Sequence, residues 1–290
     1  GRGTADDKGA AVVALYCLKA LKDERVKCVR KARAIFGAGE EIASDDLKQY
    51  FQREALPELA FTPDAEYGVC NREKGILHVE LSAPADGSRL ESLHGGTVRN
   101  AVAASARAEA RCTAEECEAL EALSKKMDGK FSFQGSGGVL TAECAGRAAH
   151  AMEPQKGRNA AARLVRLFSS CFGGEALGAL WSFVDQKIGL ELDGSSLGLR
   201  REDAVSGPLT VNLGVAEQDN GVCRAVLDIR YPVTADGEEI FERLRAAAGA
   251  YGVKARVLAE QKPLFVPEDT PLIRMLKGAY ETVTGGRARL

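Results

Sequence analysis

Apolar and polar side chains near the start of the chain are arranged in blocks typical of a mixed α/β fold. Residues Lys8 to Asp23 are so densely apolar that they predict a helix packed with one broad face against a sheet. Arg30 to Phe36 ends in apolar residues typical of a strand end, and the next helix is predicted to begin at Ser44. Leu59 to Phe61 predicts another short strand, so strands and helices alternate as in a parallel sheet.

A different pattern begins at Gly75 and predicts an α+β region in which strands pair and helices cover them. Strands are predicted at residues 76–83, 130–133, 138–145, 208–215, 223–232 and 254–259. Helices are predicted at residues 101–110, 114–127, 159–172, 237–250 and 272–284. We therefore expect a first domain over residues 1–74, a second over 75–261, and a return to the first over 262–290.

The composition is that of an ordinary globular protein. The 290 residues are 45% hydrophobic and 28% charged, and the formal net charge of -2 gives no reason to expect nucleic acid or an anionic membrane as a partner. No stretch approaches the ~20 apolar residues of a transmembrane helix. The eight cysteines lack Cys-x-x-Cys spacing, which favours reduced thiols in a cytoplasmic protein over disulfides or a zinc-cysteine site.

Acidic residues lie at the edges of three predicted strands or helices. Glu40 and Glu41 come directly after a glycine-rich turn, Asp6 precedes the first helix, and Asp64 follows the second predicted strand. Adjacent side chains on an extended segment point to opposite sides, so one glutamate could hold a metal while the other moves a proton. The alternatives are solvated acidic turns and, for Asp6, a helix cap.

Four motifs together resemble one enzyme family. They are Gly-Arg-Gly-Thr-Ala-Asp-Asp-Lys-Gly at residues 1–9, Gly-Ala-Gly-Glu-Glu at 37–41, Pro-Asp-Ala-Glu at 63–66 followed by Glu-Lys-Gly at 73–75, and the stretch from Gly146 to Ala160. This set resembles the two-metal amidohydrolases that include aminoacylase, carnosinase and the PepV-type dipeptidases, and most closely the bacterial dipeptidase branch. The family pattern extends beyond both ends of this sequence. The resemblance implies an α/β metallopeptidase catalytic domain with a parallel-rich sheet, interrupted by a two-part α+β lid.

The resemblance also implies a role for each acidic residue. Asp6 would bridge two divalent metal ions, Asp64 would bind one of them and Glu41 the other. Glu40 would be the general base. Zinc is the expected metal, with manganese or cobalt as alternatives.

Three residues of the expected lid match substrate-binding positions of the family. His150 would stabilise the oxyanion of the tetrahedral intermediate, and Arg230 would bind the terminal carboxylate of the substrate through its planar guanidinium. Asn100 matches an asparagine near the substrate backbone, although the usual following Val-Pro-Asp is here Val-Ala-Ala. Without the motifs, His150 and Arg230 are equally typical of surface residues.

The family also places one metal-binding histidine before the bridging aspartate and another near the C-terminus, and neither position exists in this chain. His78 lies in a strand pattern and His94 in a polar turn, which favours structural or solvated roles. We therefore expect this chain by itself to hold metal poorly and to be inactive.

The predicted function is metal-dependent hydrolysis of short peptides with a free C-terminus. An N-acyl-amino-acid amidohydrolase of the same family, either aminoacylase or deacetylase, is the alternative among enzymes. A non-catalytic truncated module is the alternative from another class. The length of the predicted second domain favours a monomer over a homodimer, because a two-part lid can supply the lid histidine within one chain.

Overall fold

The computed structural model of the chain describes residues 3–39, 44–64 and 68–290. Its α-helices are α1 (Gly9–Asp23), α2 (Asp45–Tyr50), α3 (Ala114–Ser124), α4 (Ala160–Phe172), α5 (Gly178–Phe183), α6 (Gly237–Gly249) and α7 (Pro271–Thr284). Its strands are β1 (Arg72–Glu73), β2 (Gly75–Pro84), β3 (Leu90–Gly95), β4 (Ser105–Arg111), β5 (Lys130–Ser136), β6 (Val139–Ala145), β7 (Glu202–Asp203), β8 (Gly207–Pro208), β9 (Thr210–Asp219), β10 (Val222–Tyr231), β11 (Lys254–Gln261) and β12 (Leu264–Phe265). The predicted α/β class is confirmed. None of the described helices is long and apolar enough to cross a membrane.

The chain forms two compact units, one made of residues 1–70 and 267–290 and the other of residues 71–266. The second unit contains an eight-stranded sheet in the order β11-β2-β10-β9-β3-β4-β6-β5. All neighbouring strands in this sheet are antiparallel. Strands far apart in the sequence therefore become neighbours, as β2 and β10 do.

One face of the large sheet carries the hydrophobic core of the second unit. Helices α4, α5 and α6 cover this face, and their side chains form one cluster with those of the strands. The largest fully buried side chains are those of Trp181, Tyr231, Phe168 and Phe183. Polar and charged residues alternate with the core residues along the strands, so the opposite face of the sheet carries most of the charges.

The predicted helix at residues 101–110 is wrong, because β4 occupies most of this segment. Ala106, Ala108 and Ala110 are buried, whereas the intervening Arg107 is exposed and Glu109 is half-buried. This is a period of two, which fits a strand with one covered face. Alanine favours helices in isolation, but the pairing of β4 with β3 and β6 outweighs that preference.

The first unit differs from the sequence expectation in its packing. Helix α1 forms where it was predicted, yet it has no buried residue, and the side chains of Val13 and Tyr16 are 60% and 68% exposed. The described residues of this unit contain no strand, including residues 30–36 and 59–61 where strands were predicted. A strand needs a hydrogen-bonded neighbour, and these segments have none among the described residues. The parallel arrangement of a first-domain sheet stays a prediction.

Candidate active site

The acidic residues predicted to bind metal belong to the first unit. Asp6 lies in the π-helical turn Thr4–Lys8 directly before α1, and its side chain lies outside the part that the structure describes. Glu40 and Glu41 also lie outside the described residues. Asp64 is described and its side chain is exposed. Among the described residues, no three histidine, cysteine or acidic side chains are grouped so as to hold a metal ion.

The chemistry of the predicted metal ligands fits a divalent cation. Asp6, Glu41 and Asp64 are carboxylates, which offer the oxygen donors that zinc, manganese and magnesium accept. A carboxylate has two oxygens and can therefore contact two ions at once. The roles of these residues as metal ligands remain predictions.

The three predicted substrate-binding residues belong to the second unit, where main-chain pairing joins two of them. Ala101 and His150 form an antiparallel bridge. On either side of this bridge, the Ala151 N–H donates to the Asn100 carbonyl and the Val102 N–H donates to the Ala149 carbonyl, each at 2.9 Å. Asn100 and His150 are therefore held next to each other by the backbone.

The imidazole of His150 is exposed and oriented by a main-chain contact. Its Nδ1 accepts a hydrogen bond from the Met152 N–H at 3.1 Å. In the neutral ring, an accepting Nδ1 requires the proton to be on Nε2. His150 can thus present an Nε2–H donor to a ligand, which is the form that oxyanion stabilisation needs.

Strand β9 anchors the segment that carries Asn100. The Asn212 side chain donates from Nδ2 to the Ala101 carbonyl at 2.9 Å. Gly214 lies directly beneath the same segment, because a Cβ atom there would be 2.3 Å from the Arg99 carbonyl oxygen. Only glycine permits so close an approach of two backbones.

Arg230 extends from β10 and is fixed by an acidic neighbour on the same strand. Its Nε donates to Asp228 Oδ1 at 2.6 Å and its Nη2 donates to Asp228 Oδ2 at 2.9 Å. His78 Nε2 lies 3.0 Å from the same Oδ2. Burial alone would raise the pKa of Asp228, but the hydrogen bonds from His78 and Arg230 lower it, so the carboxylate is ionised at neutral pH.

Sequence reasoning missed Asp228 and Asn212 and treated His78 as structural or solvated. Asp228 and Arg230 are two residues apart on a predicted strand, and this spacing predicts that their side chains lie on the same face of the sheet. The pairing of Asp228 with His78 and with Asn212 depends on strand register. No local pattern in the sequence specifies that register.

Comparison with known proteins places the chain in a family. The model of the family described as "Peptidase family M20/M25/M40" matches residues 1–288. The chain belongs to this family. The resemblance that the motifs indicated is thereby confirmed.

Two curated relatives of the M20 chain are bacterial. Putative dipeptidase YtjP from Bacillus subtilis (strain 168) is 30% identical over 298 residues, which cover 100% of this chain and 64% of that protein. Putative dipeptidase SH1171 from Staphylococcus haemolyticus (strain JCSC1435) is 29% identical over 98% of this chain and 63% of its own length. The chain thus spans 63% to 64% of the length of these relatives.

Among solved structures, the aminoacylhistidine dipeptidase from Vibrio alginolyticus matches 78% of this M20 chain and 52% of its own chain. The two are 13% identical, and the TM-score is 0.34.

Proposed function

We propose that the full-length protein is a metal-dependent dipeptidase that hydrolyses the amide bond of short peptides with a free C-terminus. Membership of the M20 family and the dipeptidase names of the two bacterial relatives support this proposal. The observation that supports it most directly is a set of residues in the second unit that strand pairing and hydrogen bonds to the backbone connect. Asn100, His150 and Arg230 are linked through the Ala101 bridge, the Asn212 amide and the β9–β10 pairing.

The second unit offers two groups suited to bind a peptide substrate. The Nε2–H of His150 is a donor for the oxygen of the scissile carbonyl, where negative charge develops as water attacks. Asp228 uses only the Nε and Nη2 edge of Arg230, so the edge formed by Nη1 and Nη2 retains a parallel pair of N–H donors for a carboxylate.

The first unit would supply the metal and the base. Two divalent ions, with zinc as the expected metal, would be held by Asp6, Glu41 and Asp64 and would polarise the carbonyl and lower the pKa of the attacking water. Glu40 would take a proton from this water and pass it to the leaving amine. Because Glu40 first accepts this proton and then donates it, the reaction needs no second general acid.

The deciding experiment is hydrolysis of a free dipeptide by the full-length native protein, with zinc or manganese and with a chelator. We expect metal-dependent cleavage of the dipeptide and much weaker cleavage of its N-acetyl analogue, because a dipeptidase must accept a free amino terminus. Preference for the N-acetyl analogue would favour an aminoacylase or deacetylase. No cleavage of either substrate by metal-loaded protein would favour a non-catalytic role.

Separate substitution of the adjacent glutamates tests their division of roles. Glu40→Ala should leave bound metal nearly unchanged while kcat falls by about 10²–10⁴, the usual contribution of a general base. Glu41→Ala should instead lower the metal content measured by atomic absorption. Equal metal loss in the two variants would show that the assignment of base and ligand is wrong.

We also infer a cytoplasmic, monomeric protein. All eight cysteines lie within the described residues and none of them forms a disulfide there, which supports a reducing compartment. The size of the second unit supports a monomer, since a two-part lid can supply its histidine within one chain. Sedimentation of the full-length protein tests the monomer directly.

A further inference from the structure

Three buried polar residues form a row across β2, β10 and β9. Asp228 is paired in register with His78 on one side and Asn212 on the other. The three residues are 9% exposed or less, and Asp228 is fully buried. Burial of a carboxylate is costly unless hydrogen bonds compensate it, so the neighbours of Asp228 must supply them.

Two side chains, those of Arg230 and His78, compensate the burial of the Asp228 carboxylate with hydrogen bonds. Arg230 occupies both carboxylate oxygens, and His78 Nε2 adds a second contact to Oδ2. Because Asp228 is ionised, His78 must donate through Nε2. The Nδ1 atom of His78 is buried and has no hydrogen-bond partner among the described residues. Among the described residues, Asp228 is thus the only hydrogen-bond partner of the His78 ring.

The geometry restrains the guanidinium of Arg230. Its side chain is only 11% exposed, and the two bonds to Asp228 fix both the plane and the rotation of the group. A flexible arginine loses side-chain entropy when it binds a ligand, whereas one that is already held does not. The restraint leaves the Nη1 and Nη2 edge in a fixed direction.

We propose that Asp228 and His78 are positioning residues for Arg230, which orient its guanidinium to receive the terminal carboxylate of the substrate. This inference rests on the proposed function, in which Arg230 binds that carboxylate. Asp228 holds the arginine, and His78 holds Asp228 in the rotamer that does so. Neither positioning residue contacts the substrate.

The test compares two substrates in the full-length native protein, a dipeptide and the same dipeptide with its terminal carboxylate replaced by an amide. Arg230→Ala should raise KM for the dipeptide and leave kcat/KM for the amide nearly unchanged. Asp228→Asn should do the same, by about tenfold to hundredfold in KM, because a neutral acceptor replaces the ionised carboxylate that fixes the guanidinium. A merely structural loss would lower kcat/KM for both substrates equally.

His78 provides the matched pair of variants. His78→Gln keeps an N–H donor near the position of Nε2 and should retain at least part of the wild-type KM for the dipeptide. His78→Leu removes the donor and should raise this KM without affecting the amide substrate. This pair also serves if Asp228→Asn fails to fold, which circular dichroism of the variant would reveal.

The outcomes separate the inference from the proposed function. If Arg230→Ala raises KM selectively for the dipeptide but Asp228→Asn and His78→Leu do not, the positioning role is wrong and the role of Arg230 stands. If Arg230→Ala affects both substrates alike, the assignment of Arg230 to the carboxylate fails, and the inference fails with it. A selective effect in all three variants supports both.

Discussion

A main-chain contact determines which nitrogen of the neutral His150 ring carries the proton. The imidazole is exposed and would otherwise exchange between two neutral tautomers. The Met152 N–H, bound at Nδ1, selects the tautomer with its proton on Nε2. Because the donor is a backbone group two residues away, this selection does not depend on the identity of any neighbouring side chain.

Substitution of His150 tests its proposed role at the reacting carbonyl. His150→Ala in the full-length protein should lower kcat for dipeptide hydrolysis by about 10²–10³, the usual effect of losing one oxyanion donor, with a smaller change in KM. His94→Ala is the matched control, since His94 is an exposed histidine on β3 of the same unit. Similar kcat values for the two variants would contradict the role of His150.

At the scale of elements, strand β9 supports the segment at residues 99–101, which carries the predicted substrate-binding residue Asn100. Asn212 binds the Ala101 carbonyl, and Gly214 admits the Arg99 backbone. Asn159 joins the same strand to α4, because its side chain donates to the Leu213 carbonyl at 2.6 Å and accepts from the Ala162 N–H at 3.0 Å. Residues 212–214 of β9 thus hold both the segment at residues 99–101 and the start of α4.

Gly214→Ala tests this close approach. The new Cβ would meet backbone atoms that cannot rotate away, so the free energy of unfolding should fall by about 1–3 kcal/mol. Gly249→Ala in α6 is the control, because its Cβ would meet no atom within 4 Å and should leave stability unchanged or raise it by up to about 1 kcal/mol. Urea denaturation of the full-length variants measures both, and equal midpoints would refute the steric argument.

Elements with a strong local pattern could be predicted from sequence. The amphipathic helices α4 and α6 and the paired strands β9 and β10 form where periodicity indicated them. The alanine-rich β4 could not be assigned from propensity, since its neighbours decide its conformation. The contact of His78 with Asp228 spans 150 residues, and only the folded sheet determines it.

At the scale of the whole molecule, several acidic residues of the second unit bind protons less readily than usual. The Arg89 guanidinium and the Thr113 N–H lower the pKa of Glu116 to about 2. Burial opposes a similar decrease at Asp203, but hydrogen bonds from Ser206 and Thr234 prevail and lower its pKa to about 2. The pKa of Asp228 is lowered as well.

These shifts predict a loss of stability in acid. As the pH falls below the ordinary pKa of 3.8, unfolded chains bind a proton at Asp203 while the folded protein does not until pH about 2. The stabilisation is therefore complete above the ordinary pKa and is lost as the pH falls through this window. Urea unfolding from about pH 5 to about pH 2 should show this decline, and Asp203→Asn should make it shallower. An unchanged slope in the variant would contradict the contribution of Asp203.

The short pair of β1 and β12 brings the beginning and the end of the second unit side by side, with Arg72 opposite Phe265. The first unit is consequently assembled from pieces that leave the ribosome at different times. Residues 1–70 emerge before the second unit, but contacts such as that of the Val69 N–H with the Arg289 carbonyl must wait for the whole second unit to be synthesised. The exposed apolar side chains of α1 therefore remain without the last part of their unit while residues 71–266 are synthesised, and apolar surface exposed on a nascent chain favours aggregation or chaperone binding.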